Sequence, residues 1–146
     1  MLRGRYTATV DTKGRLKIPT GFKALLDESY GPDFYITSFD GKHARLYPLS
    51  EWQKIEERLA ALPETDKTKD KMLVRTSYWG QMARMDAQGR VLMPTQLRED
   101  AAVRGEVVVM GYLKYLQVWN PDRLREHLEQ EPLTDDDLEK LSGRNI

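Results

Sequence analysis

The chain contains no cysteine. Disulfides, thiolate nucleophiles and thiolate metal ligands are therefore excluded. Histidine is nearly missing too. His43 falls beside a turn and His127 on a charged helical stretch, so both are expected at the surface. There is no His/Cys metal spacing, no P-loop and no dinucleotide fingerprint. The acidic run Asp135–Asp137 lacks calcium-loop spacing. Without any catalytic constellation the chain does not read as an enzyme, and no metal, cofactor or small-molecule substrate is expected. No apolar run approaches the roughly 20 residues that span a bilayer. The opening MLRGRYTATV is charged and has no apolar h-region. A cytoplasmic protein with no membrane partner is the expectation. Net charge is absent as well, with 23 basic and 23 acidic residues among 146. Its distribution is uneven. Residues 1–25 carry Arg3, Arg5, Lys13, Arg15, Lys17 and Lys23 against Asp11 alone, whereas residues 121–146 hold four basic and eight acidic groups. That pattern suggests one basic face and one acidic tail, unless it is only fluctuation along the chain.

What is present is a repeat. DTKGRLKIP at Asp11–Pro19 returns as DAQGRVLMP at Asp86–Pro94. Asp11 and Asp86, Arg15 and Arg90, and Pro19 and Pro94 each stand 75 residues apart. Leu16 matches Val91, Ile18 matches Met93, Phe22 matches Leu97 and Lys23 matches Arg98. An internal duplication explains this. In each copy a strand (Tyr6–Val10, Gln81–Met85) leads to an aspartate whose carboxylate can accept turn amides. Gly14 or Gly89 supplies the positive φ of the turn. A second strand (Arg15–Ile18, Arg90–Met93) leaves it. Period-two alternation places Arg15 and Lys17 on one face and Leu16 and Ile18 on the other. Pro19 and Pro94 end these strands. Thr20 and Thr95 are expected to cap short helices bearing Phe22, Leu25 and Leu26, and Leu97, Ala101 and Ala102.

Further strands are expected at Phe34–Phe39 and Ala44–Tyr47, joined through Asp40-Gly41. Ser50 with Gln53 forms a capping-box pattern, opening a helix whose Trp52, Ile55, Leu59 and Leu62 should face the core. Residues 63–79 connect the halves, with a helix over Lys71–Trp79. Glu106–Gly111 and Tyr115–Trp119 mirror the earlier strand pair. Asn120-Pro121 starts a helix with Leu124 and Leu128 on its apolar side, and Thr134 caps a last one. The organisation is thus a first repeat at 1–62, a connection at 63–79, a second repeat at 80–128 and an acidic tail at 129–146. Neither half can close a core alone. The expected fold is mainly β with short helices (α+β), a pseudo-twofold β-barrel of two swapped hairpins.

Met1–Gly4, Asp11–Pro19, Asp86–Pro94 and Leu97-Arg98-Glu99 together resemble the MraZ family. Leu46–Leu49 before Trp52, and Val118–Pro121, fit as well. The resemblance covers nearly the whole chain. It implies tandem swapped-hairpin modules of the AbrB and MazE kind in a bacterial transcriptional regulator. It also implies ring-shaped homo-oligomers, associated with the nucleoid, that bind direct repeats in double-stranded promoter DNA upstream of the division and cell-wall gene cluster. The family's DNA-contacting arginine corresponds to Arg15, and in the second copy to Arg90. Lys13 and Lys17 flank Arg15, and Arg3 could extend the basic face. Lys13 and Lys17 become Gln88 and Leu92 in the second copy, which makes Arg90 the weaker candidate. A competing reading pairs Arg15 with Asp11 to staple its own turn. Asp11, Gly14, Asp86 and Gly89 are assigned to turn structure. An antitoxin-like or scaffold protein on the same fold is the alternative function.

Overall fold

A computed structural model describes all residues, 1–146. Strands β1 (Arg5–Val10) and β2 (Arg15–Lys17), helix α1 (Thr20–Ser29), strands β3 (Asp33–Thr37) and β4 (Ala44–Pro48) and helix α2 (Leu49–Ala60) form the first repeat. After α3 (Lys67–Tyr78), the second repeat follows as β5 (Gln81–Arg84), β6 (Arg90–Leu92), α4 (Thr95–Asp100), β7 (Gly105–Tyr112), β8 (Tyr115–Trp119) and α5 (Pro121–Gln130). Helix α6 (Asp135–Ser142) ends the chain.

The eight strands form one antiparallel sheet in the order β5-β3-β4-β8-β7-β1-β2-β6, curled into a nearly closed barrel. The repeats are interleaved. β1 pairs with β7 of the other half, and β5 makes the equivalent pairing with β3. The second strands pair with each other, β2 with β6, and so do the fourth strands, β4 with β8. Within the first hairpin only Val10 and Leu16 are partners. Leu16 faces Val91, its own repeat equivalent, so the pseudo-twofold axis passes through that pair. At the other end of the barrel it passes through Arg45 and Gln117.

This swap gives both halves one core. Leu16, Ile18, Phe22, Leu26, Phe34, Ile36 and Leu46 meet Val91, Met93, Leu97, Val107, Val109, Leu116 and Val118 in a single buried cluster. Such burial contributes roughly 25 cal/mol per Å² of apolar surface, the only reserve large enough to order so short a set of strands.

Several local expectations are corrected. Thr20 and Thr95 do not cap α1 and α4. Pro19 and Pro94 hold the cap positions with φ near −55° and no side-chain bond. Their carbonyls accept the Lys23 and Arg98 amides, both at 2.9 Å, and proline's fixed φ suits the entry. The Ser50–Gln53 capping box is likewise absent, because Pro48 caps α2 and Leu49 begins it. Of the α2 stripe only Trp52 is buried, Ile55 and Leu59 are half-buried and Leu62 is exposed. α2 lies on the outside of the barrel, with Trp52 stacked on Tyr35 at 4.9 Å. Leu25 and Leu128 are also exposed. α3 starts four residues before the expected Lys71 and is capped by Asp66, whose carboxylate accepts the Lys69 amide. Asn120 and Thr134 cap α5 and α6 as expected, Thr134 in a reciprocal box with Asp137.

His43 is not the exposed residue that its turn suggested. Its ring stacks on Trp119 at 4.3 Å and 8°, and neither ring nitrogen has a hydrogen-bond partner. Burial lowers its pKa from 6.5 to about 4, with the Asp40 carboxylate opposing that shift. The pseudo-twofold relates this stack to Tyr47 on Tyr115, centroids 4.5 Å apart.

Candidate nucleic-acid interface

Each hairpin turn is organised by its aspartate. One oxygen of Asp11 accepts the amides of Lys13 (3.0 Å) and Arg15 (2.9 Å), and the other accepts the Arg15 Nε at 2.8 Å. Asp86 repeats the pattern with the amides of Gln88 and Arg90 at 2.9 Å and the Arg90 Nε at 3.0 Å. The backbone amide of Arg15 or Arg90 chiefly holds each carboxyl below the usual aspartate value. The staple consumes only Nε. The terminal guanidinium nitrogens of Arg15 and Arg90 remain for another acceptor, so stapling and outside contact are compatible.

The β2–β6 pairing places four side chains on one outer face. Arg15 stands opposite Leu92, and Lys17 stands opposite Arg90. Leu16 and Val91 point inward and are fully buried. The swap also moves charge between turns. Lys17, from the first repeat, donates its Nζ to the Gln88 carbonyl in the second turn. The Ile18 amide bonds Gly89 O at 2.9 Å, and the Met93 amide bonds Gly14 O at 2.8 Å, so the two turns are tied to each other's strands. Lys13, Arg15, Lys17 and Arg90 are therefore brought together. Arg3 is not. It lies beyond the far end of β1, where Leu2 bonds Leu113. That is roughly 25 Å along the strand from Asp11 at about 3.3 Å per residue.

Two cations outside the predicted set also border the turns. The Lys23 stem packs on Gly89, where an added Cβ would meet its Cδ at 3.1 Å. The Arg98 guanidinium packs on Gly14, where a Cβ would lie 2.3 Å from Cζ. Their equivalence was visible in the repeat, but it did not say which turn each would reach. No group of three or more His, Asp or Glu side chains is arranged to hold a metal, and no helix is long and apolar enough to cross a membrane.

Residues 1–75 and 81–143 match the family model described as "MraZ protein, putative antitoxin-like". The chain belongs to the MraZ family. It is similar to the transcriptional regulator MraZ of Acidobacterium capsulatum, 50% identical over 142 residues and 97% of each chain. Its match to the protein of that name from Koribacter versatilis is 46% identical and spans both chains completely. The one from Limosilactobacillus fermentum is 40% identical over 84% of this chain and 83% of its own. The MraZ relatives are named as transcriptional regulators, not as enzymes.

Proposed function

We propose that this MraZ chain is a sequence-specific DNA-binding regulator of transcription that presents its paired turns to a duplex at the nucleoid. The observation carrying this reading is the outer face of β2–β6. Arg15, Lys17 and Arg90 share it, Lys13 sits in the adjoining turn, and the only carboxylates in the two turns, Asp11 and Asp86, are engaged by the turns themselves. A two-stranded ribbon fits the major groove, lysines there meet phosphates, and an arginine with free terminal nitrogens can fork to a guanine edge. The binding sites are short direct repeats in the promoter of the division and cell-wall gene cluster.

So few cations per chain release few counterions, so each copy binds weakly. A ring of copies engaging repeated sites raises avidity without new contacts. Uncovered apolar side chains support assembly: Leu73, Val74 and Tyr78 on α3, and Met1, Tyr112 and Leu113 elsewhere. Sedimentation showing only monomer at micromolar concentration would remove the ring.

The deciding experiment is a gel shift on the chain's own upstream promoter with wild type and Arg15→Ala. Wild type should shift the fragment and Arg15→Ala should bind at least tenfold more weakly. Equal shifts by both would take Arg15 out of the interface. A tight protein partner with no duplex binding would turn the reading to the antitoxin-like or scaffold alternative.

A further inference from the structure

The swap carries a cation of each repeat onto the other's turn, and leaves one of the two without an acid partner. Arg98 is carried by α4 of the second repeat, yet its guanidinium lies on the Gly14 turn of the first. Its Nη2 donates to Thr95 Oγ1 at 3.1 Å, and its Nε is buried without a partner. No carboxylate pairs with it. The equivalent residue, Lys23, differs on this point. Its Nζ is held by Asp27 at 2.6 Å, one helical turn away. In the second repeat the position matching Asp27 is Ala102, which lies past the end of α4 at φ 52°. An acid is missing there, and so is the helical turn that would present one.

We infer that Arg98 is a phosphate contact of the first turn, completing with Lys13 and Arg15 a cationic tip that neither repeat forms alone. Three features carry this. The guanidinium is held against the tip by its packing on Gly14, so little side-chain freedom is lost on binding. It is half-exposed and free of any acid, so a phosphate does not have to displace a partner. It also borders a turn whose other cations, Lys13 and Arg15, stand within three residues of one another. Lys23 lays its stem, not its charge, on the second turn and is neutralised in place, which makes the second tip the weaker one.

The inference rests on the DNA-binding reading, and its test separates the two. The full chain is titrated with its own promoter duplex and with a scrambled duplex of equal length, across a salt series. Wild type, Arg98→Ala, Arg98→Lys, Lys13→Ala and the Arg98→Ala/Lys13→Ala pair are compared, with the melting temperature of each DNA-free protein recorded. Arg98→Ala should weaken binding about tenfold on both duplexes. It should also reduce the salt slope by about 0.9, and Arg98→Lys should restore most of both. Loss of affinity with an unchanged salt slope and a lowered melting temperature would assign Arg98 to packing alone and overturn the inference. Loss confined to the promoter duplex would make it a base contact and overturn it equally. Undiminished binding by Arg98→Ala, with wild type binding well, sinks only this inference. Wild type that binds neither duplex sinks the DNA-binding reading as well.

Discussion

The two hairpin turns share a backbone network and differ in their cations. Asp11 and Asp86 make the same three bonds, differing by at most 0.2 Å in any one of them. Along the chain the first turn is rich in charge and the second is poor, because Gln88 and Leu92 replace Lys13 and Lys17. In space that contrast is redistributed. Lys17 crosses to the second turn, and Arg98 crosses to the first. Charge asymmetry written in sequence is therefore not the asymmetry a ligand would meet. The opposite end of the axis repeats the lesson. There the fold relates a Tyr47–Tyr115 stack to a His43–Trp119 stack, and only the second holds a group that takes up a proton as pH falls to about 4.

The sharpest way to break the comparison is at the axis. Leu16 and Val91 are mutual partners in one core. Leu16→Ala should cost about 3 kcal/mol and Val91→Ala about 2, both in one cooperative transition. Two separate transitions in denaturant would show that the halves hold independent cores. The second test concerns the aromatic stacks. The folded pKa of His43 is about 4 against 6.5 unfolded, so the unfolded chain takes up the proton first as pH falls. The His43 contribution to stability is full above pH 6.5, declines between 6.5 and 4, and is spent below that, a total on the order of 3 kcal/mol. His43→Tyr, which copies the other stack, should abolish that slope, and an unaltered pH profile would refute the assignment. The smallest effect compares the glycines. Gly14→Ala must adopt φ near 85° and expel the Arg98 guanidinium, so a loss of about 2 kcal/mol is expected. Gly89→Ala meets only a flexible lysine stem at φ near 77° and should lose about 1. Equal losses would mean that Arg98 does not press on the first turn.

Most of the architecture was legible because it is periodic. The repeat, the alternation in Arg15–Ile18 and the turn signals identify the strands, and the small size of each half requires a shared barrel. Helix starts were misread at Thr20, Ser50 and Thr95 because a proline in front of each took the cap position, a choice that side-chain capping preference does not capture. The α2 stripe was overvalued because amphipathic spacing does not tell a helix laid outside a barrel from one set in its core. His43 was misplaced because its environment is a tryptophan 76 residues away in the chain. Arg98 was visible as the counterpart of Lys23, but nothing local indicates the turn it would cover.

By itself the sequence determined two copies of one strand–turn–strand unit, their turn-forming aspartates and glycines, and the alternation that sends leucine inward and arginine outward. These follow from local sterics, hydrogen bonding and the period of two. Only the tertiary structure decided which copy each side chain serves. Pairing β1 with β7, β3 with β5 and β2 with β6 is a long-range choice, made because no half buries enough apolar surface unless it borrows strands from the other. That exchange carries Lys17 and Arg98 across the axis, and with them the charge of each tip.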